Sequence, residues 1–135
     1  MGSQWRFRVT TRRFAAKLLF QYRVVVKGRS NRRRTCEERL IVVHAQTAEA
    51  AYRSALKSGR SAQHRYRNPD GNPVHCEFIG ILELLELGME CGPEEVWYDI
   101  KSMLMPKERS HKILPPKHEL SAIYWAISDN RRKGR

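Results

Sequence analysis

The sequence predicts an α+β domain: a mainly antiparallel sheet of about four to five strands, one helix packed on it, and a further helix at the C-terminus. Three observations predict this. Apolar residues alternate with period two from Phe14 to Val26, and again from Val74 to Leu84. A helical stripe of Ala48, Ala51, Tyr52, Ala55 and Leu56 lies between these segments. A turn cluster, Asn68-Pro69-Asp70-Gly71-Asn72-Pro73, opens the stretch Tyr66 to Glu86 and leads into the longest apolar-rich segment of the chain.

Composition bounds the answer. At 135 residues, with 41% hydrophobic and 30% charged residues, the chain has the size of one domain whose core needs no disulfide or metal staple. No run approaches the ~20 continuous apolar residues of a membrane helix, and charges break every short apolar run near the N-terminus. Three cysteines without paired spacing suit a reducing compartment, so a cytoplasmic location is expected.

In chain order, residues 1–13 read as a basic N-terminal arm or edge strand, with Trp5, Phe7 and Val9 alternating with Arg6, Arg8 and Thr10. The α+β core domain is expected over 14–105. A long half-buried strand starts at Phe14, and Lys27 to Arg34 reads as a polar loop whose Arg run is too charged to pair as a strand. Thr35 to Gln46 forms the second arm of an antiparallel hairpin. Leu40-Ile41-Val42-Val43 is apolar on both faces, which places that strand inside the sheet. Thr47 caps the helix, and Gly59 is expected just past its C-terminus. Even positions from Val74 to Leu84 form one continuous nonpolar face of a central strand. Val96, Tyr98 and Ile100 alternate with Trp97, Asp99 and Lys101, which predicts a last strand ending near Met105. Residues 106–117 read as a linker, and 118–135 as a C-terminal helix with a basic tail, its stripe formed by Leu120, Ile123, Tyr124 and Ile127.

Four stretches, AAKLLFQYRV, CEERLIVVHAQTAEAAYRSALKSGR, YRNPDGNPVHCEFIGILELLEL and PEEVWYDI, together resemble the small bacterial family of domain of unknown function 4288, over about residues 14–105. The most specific part is the ordered set Tyr66, Asn68, Gly71, Val74, Phe78, Gly80 and Ile81. The chain departs from the family at Cys76, where members often carry Trp, and at Pro93. The resemblance implies a compact cytoplasmic bacterial domain and brings no catalytic residue with it.

The net charge of +12 is unevenly placed. Residues 1–34 hold eleven Lys and Arg and no acid, residues 35–105 carry a net −4, and residues 106–135 a net +5. This layout predicts contact with an anionic macromolecule. The candidate nucleic-acid-binding residues are Trp5, Arg6, Arg8, Arg12, Arg13, Arg29, Arg32, Arg33, Arg34, Arg131, Arg132 and Lys133, with Trp5, Phe7 or Tyr22 available to stack on bases. The same charges also suit solvated ends.

Other chemistry has weaker support. His64, His75, Cys76 and Cys91 lack zinc-ligand spacing, and adjacent His75 and Cys76 fall on opposite faces of a strand. Cys36 near Arg32 to Arg34 has no histidine placed beside it. Glu37 with Glu77 or Glu83 would make a carboxylate pair if their strands are neighbours, but solvated faces balanced by Lys17 and Arg23 explain them as well. No nucleophile elbow, P-loop or dinucleotide fingerprint is present. The sequence thus predicts a non-catalytic interaction protein with nucleic acid or a ribonucleoprotein as partner. The alternatives are an inhibitor-type protein facing an acidic protein surface and, third, an enzyme. It calls for no cofactor, metal, membrane or small-molecule substrate. An exposed Trp97–Tyr98 strand edge would let two copies of the chain pair.

Overall fold

A computed structural model describes residues 11–133 of the chain, with side chains to residue 130. The chain divides into two compact units, Met1–Tyr98 and Asp99–Arg135. The first is the α+β domain. Its strands are β1 (Arg12–Val26), β2 (Arg29–Ser30), β3 (Thr35–Ala45), β4 (His64–Arg67) and β5 (Pro73–Leu87), all paired antiparallel, with helix α1 (Ala48–Ser61) between β3 and β4.

Strand β1 is the centre of the sheet. It pairs with β3 from Arg12↔Ala45 to Tyr22↔Thr35, and on its other edge with β5 from Arg13↔Leu87 to Val24↔Val74. Short β4 then pairs with the first residues of β5, from His64↔Cys76 to Arg67↔Pro73. The predicted interior position of β3 is corrected: it pairs only with β1 among the described residues, and Leu40 and Val42 are exposed on it. Apolar character on both faces misled because the second face of β3 lies open to water.

One face of the sheet carries the core. Phe14, Ala16, Leu18 and Phe20 of β1 meet Val43 and Ala45 of β3, Cys76 of β5, and Ala51 and Ala55 of α1. Each fully buried large side chain here contributes about 1.5–3 kcal/mol by removal from water. The expected even-numbered face of β5 is interrupted twice. Register shifts between Lys17 and Leu18, and between Leu19 and Phe20, leave Leu82 and Ile79 without partners on β1. Each extra residue reverses the alternation, so the core-facing series runs Phe78, Ile81, Leu84. Ile79 and Leu82 are 53% and 48% exposed as a result.

The hairpin arm joining β1 to β2 turns through Lys27 and Gly28, both at positive φ (51° and 77°), the two-residue geometry that suits strand twist. Thr47 caps α1 as expected, accepting from the Ala50 amide at 3.0 Å. Gly59 is not a terminator. It lies inside α1, and a Cβ there would sit 2.5 Å from the Phe78 ring, so its lack of a side chain lets helix and sheet approach. The buried stripe of α1 is Ala51, Ala55 and Gly59, while Tyr52 is exposed.

Among the described residues no ladder pairs the stretch Val96 to Met105, which was expected to form a strand, and none shows the proposed Trp97–Tyr98 edge for pairing two copies. Trp97 instead lies against Lys17, whose ammonium sits 4.7 Å from the ring centroid. In the second unit, one-turn helix α2 (Ser110–Ile113) falls in the stretch read as linker, and α3 (Ser121–Lys133) follows a short 3-10 turn. Tyr124 and Trp125 make an edge-to-face contact on α3. Among the described residues no helix is long and apolar enough to cross a membrane.

Helix propensity alone predicts that Gly59→Ala stabilises by up to about 1 kcal/mol. The Phe78 contact predicts the reverse: a net loss of roughly 1–2 kcal/mol from overpacking. Urea unfolding of G59A checks the sign, and Phe78→Leu in the same chain should shrink the penalty.

Candidate nucleic-acid interface

The register on the helix-bearing face sorts its side chains into rows. Toward the Arg12 end, the rows face α1 and are apolar. Beyond Phe20 burial is mixed: Cys76 and Val74 are buried, Tyr22 and Val24 half-buried, and Thr35, His64 and Tyr66 exposed. The next row there is Thr35, Tyr22, Cys76 and His64; the one after it is Val24, Val74 and Tyr66; Val26 and Arg29 stand at the hairpin tip. These rows form an open groove of about 450 Å³ lined by Tyr22, Val24, Asn31, Thr35, Tyr66, Asn68 and Val74. Tyr66 is 46% exposed, and its ring stacks with His64 at 5.9 Å between centroids, 23° from parallel. Two rings two residues apart on one edge strand thus make a flat platform beside the groove.

Local bonding fixes both rims. Asn31 replaces a ladder residue: its amide donates to the Val24 carbonyl, and its side-chain oxygen accepts from the Val24 amide, each at 3.0 Å. Arg34 is tied inward, donating to the Asn31 carbonyl at 2.8 Å and to Gln21 Oε1 at 3.1 Å. Arg32 and Arg33 are left exposed on this braced loop, beside exposed Arg29. On the opposite rim, Asn68 Oδ1 accepts from the amides of Asp70 and Asn72, and Gly71 supplies the positive φ of 80° the turn requires.

Behind Tyr22, Arg39 holds several partners. Its guanidinium pairs with Glu37, stacks 3.9 Å from the Phe20 centroid, and donates to Tyr22 Oη at 3.4 Å. The Arg39 hydrogen bond pulls the Tyr22 phenol down, but burial and Cys76 together outweigh it and hold the group above its ordinary value. On the other sheet face, Arg23 clamps Glu77 at 2.8 and 3.1 Å, Gln21 adds a third bond at 3.1 Å, and Arg23 also reaches Ser30 Oγ at 2.8 Å. The Arg23 guanidinium holds the Glu77 carboxyl below its ordinary range, with Gln21 helping.

Among the described residues of the first unit, the sequence-predicted arginines fall at two places. Arg29, Arg32 and Arg33 gather at the hairpin tip. Arg12 and Arg13 lie at the other end of β1, roughly 45 Å away at strand rise. There Arg12 forms a bidentate pair with Glu86, donating at 2.8 Å through Nε, and Arg13 donates to the Gly92 and Glu95 carbonyls at 3.3 and 2.7 Å. Both are spent on holding the chain together. Trp5, Arg6 and Arg8 lie outside the described residues, as does Phe7. Arg131, Arg132 and Lys133 end α3 in the second unit, where only the backbone is described.

The other candidates are separated as well. Glu37 shares the core face with Phe20, whereas Glu77 and Glu83 lie on the opposite face, so no Glu37-centred carboxylate pair forms. His75 and Cys76 do point to opposite faces. Among the described residues no cluster of metal-ligating side chains is found. Sequence reasoning missed Tyr66, His64, Thr35 and Asn68 as neighbours of Tyr22. The alternation His64-x-Tyr66 was the available signal, hidden in a short polar run.

These features define an α+β domain whose antiparallel sheet carries a helix on one face, with a partly buried groove lined by Tyr22, Val24, Tyr66 and Val74 toward the hairpin tip of that face. The chain belongs to the family described as Domain of unknown function (DUF4288), whose model matches residues 13–95. No curated protein and no solved structure matches it.

Because the Glu77 carboxyl titrates below its ordinary range, its contribution to stability is present above the ordinary glutamate value and is lost as pH falls through the lower folded-state value. Glu77→Gln should therefore destabilise the domain at pH 7, and the gap from wild type should close as pH falls below about 4. Thermal unfolding of both proteins from about pH 7 to about pH 3 measures this.

Proposed function

We propose that this protein is a non-catalytic binding domain for single-stranded nucleic acid, taken up along the groove between Tyr22 and Tyr66. The observation that supports it best is a coincidence of place. Half-buried Tyr22 and exposed His64 and Tyr66 lie at the same end of the sheet as Arg29, Arg32 and Arg33. Aromatic faces accept any base by stacking, at about 1–3 kcal/mol per base, while exposed guanidiniums take the phosphates between.

Charge placement favours the same end. The groove end holds Lys27, Arg29, Arg32 and Arg33 beside Glu37, Glu38, Asp70 and Glu77, of which Glu37 and Glu77 are paired with Arg39 and Arg23, whereas Glu83, Glu86, Glu90, Glu94 and Glu95 lie at or just beyond the far end of β5. A polyanion is steered to the first and repelled from the second. A flat, shallow surface of separate rings suits unstacked bases, whose faces a duplex keeps buried.

Fluorescence anisotropy with labelled single-stranded RNA and DNA across a salt series tests the reading. Binding should weaken steeply with salt. Tyr22→Ala and Tyr66→Ala should each cost about 1–3 kcal/mol with little change in salt slope. The pair Arg32→Ala and Arg33→Ala should make the slope shallower by roughly 0.7 for each phosphate no longer neutralised. Absent or salt-independent binding would refute it.

A further inference from the structure

Tyr66 borders a second concavity. A cleft of about 290 Å³ at the outer edge of β4 is lined by Arg65, Tyr66, Arg67 and Pro73. We infer that this cleft is a phosphate clamp, in which Arg65 and Arg67 grip the backbone of a single strand as it passes over the β4 edge from the Tyr66 platform. The inference rests on the nucleic-acid reading above and adds to it the path of the strand and two residues outside the hairpin-tip cluster.

The geometry follows from strand alternation. Tyr66 pairs with Val74 and faces the groove, while Arg65 and Arg67 pair with His75 and Pro73 and face the other way. On an interior strand those arginines would be cut off from the groove by the sheet. On β4, which has no further strand outside it among the described residues, only the width of one strand separates them. Residues two apart place their Cα atoms about 6.6 Å from each other, close enough for two guanidinium forks to converge on one phosphate.

The forks are also available. Arg65 has no protein hydrogen bond or ion pair among the described residues, and it is exposed. Arg67 donates through Nη1 to the Gly71 carbonyl at 2.8 Å, which orients the guanidinium and leaves its other N–H groups free. One arginine is therefore preset by the turn, and the other is free to close on the ligand. The anion expected is a phosphodiester, because Tyr66 between cleft and groove offers a base-stacking face next to the charge.

The test uses the full chain and a fluorescein-labelled oligodeoxythymidylate of about 12 nucleotides, within the site sizes of single-strand binders. Arg65→Ala should weaken binding roughly fourfold at about 0.15 M salt, and make the salt slope shallower by about 0.7, as removal of one phosphate-neutralising cation requires. Arg53→Ala, on the outside of α1 and paired with Glu49, should leave both unchanged. A single methylphosphonate walked along the oligonucleotide should weaken wild type at one position more than it weakens R65A there. Arg65 is exposed, so unchanged circular dichroism and Tm exclude unfolding as the cause. If Tyr22→Ala and Tyr66→Ala weaken binding but R65A keeps the wild-type slope, the clamp is overturned and the aromatic surface stands. If wild type does not bind the oligonucleotide, both are overturned.

Discussion

Strand β1 is hydrogen-bonded along both edges, and the rest of the sheet takes its position from that. Its pairing with β3 fixes where α1 starts, because β3 ends at Ala45 and Thr47 caps the helix two residues later. Its pairing with β5 runs nearly the whole length of both strands and tolerates two extra residues in β5. Those two bulges shift the alternation of β5 twice, so that Phe78, Ile81 and Leu84 all reach the core although they are not evenly spaced by two. Without the bulges, Ile81 would turn to the solvent face and the core under α1 would lose a wall.

The length of β1 has a second consequence. Fifteen residues of strand span far more than the fourteen residues of α1, which at helical rise is only about 21 Å long. One helix cannot cover such a sheet. The chain fills the core under α1 with Phe, Leu and Ala, and around buried Cys76 and Val74 toward the hairpin tip it sets Tyr22, Thr35, His64, Tyr66 and Asn68. These side chains tolerate water while still offering flat or hydrogen-bonding surfaces. The binding surface proposed above is thus a by-product of a helix shorter than its sheet, with a composition adjusted to match.

Charge is divided by the same axis. Cations near Arg12 are consumed by Glu86 and by backbone carbonyls, whereas Arg32 and Arg33 are held away from such partners by the Asn31 brace. Arg12, Arg13 and Arg34 act inside the fold, and in their place the structure contributes Arg65 and Arg67 from a segment whose local charge looked unremarkable.

The sequence by itself determined the α+β class, the β1–β3 hairpin, the Thr47 cap and the turn at Asn68 to Asn72, because each is written in neighbouring residues: period two, period 3.6, a capping side chain, an Asn-x-x-Gly turn. It also carried the family, through Tyr66 to Ile81. What it did not contain was who sits beside whom across strands. The pairing of β3 with β1, the place of Gly59 against Phe78, and the bulges at Ile79 and Leu82 all depend on contacts between residues far apart in the chain. The candidate surface depends on it most. Tyr22, Thr35 and Tyr66 become neighbours only because β1 lies between β3 and β5, and only the tertiary structure decides where α1 stops covering them.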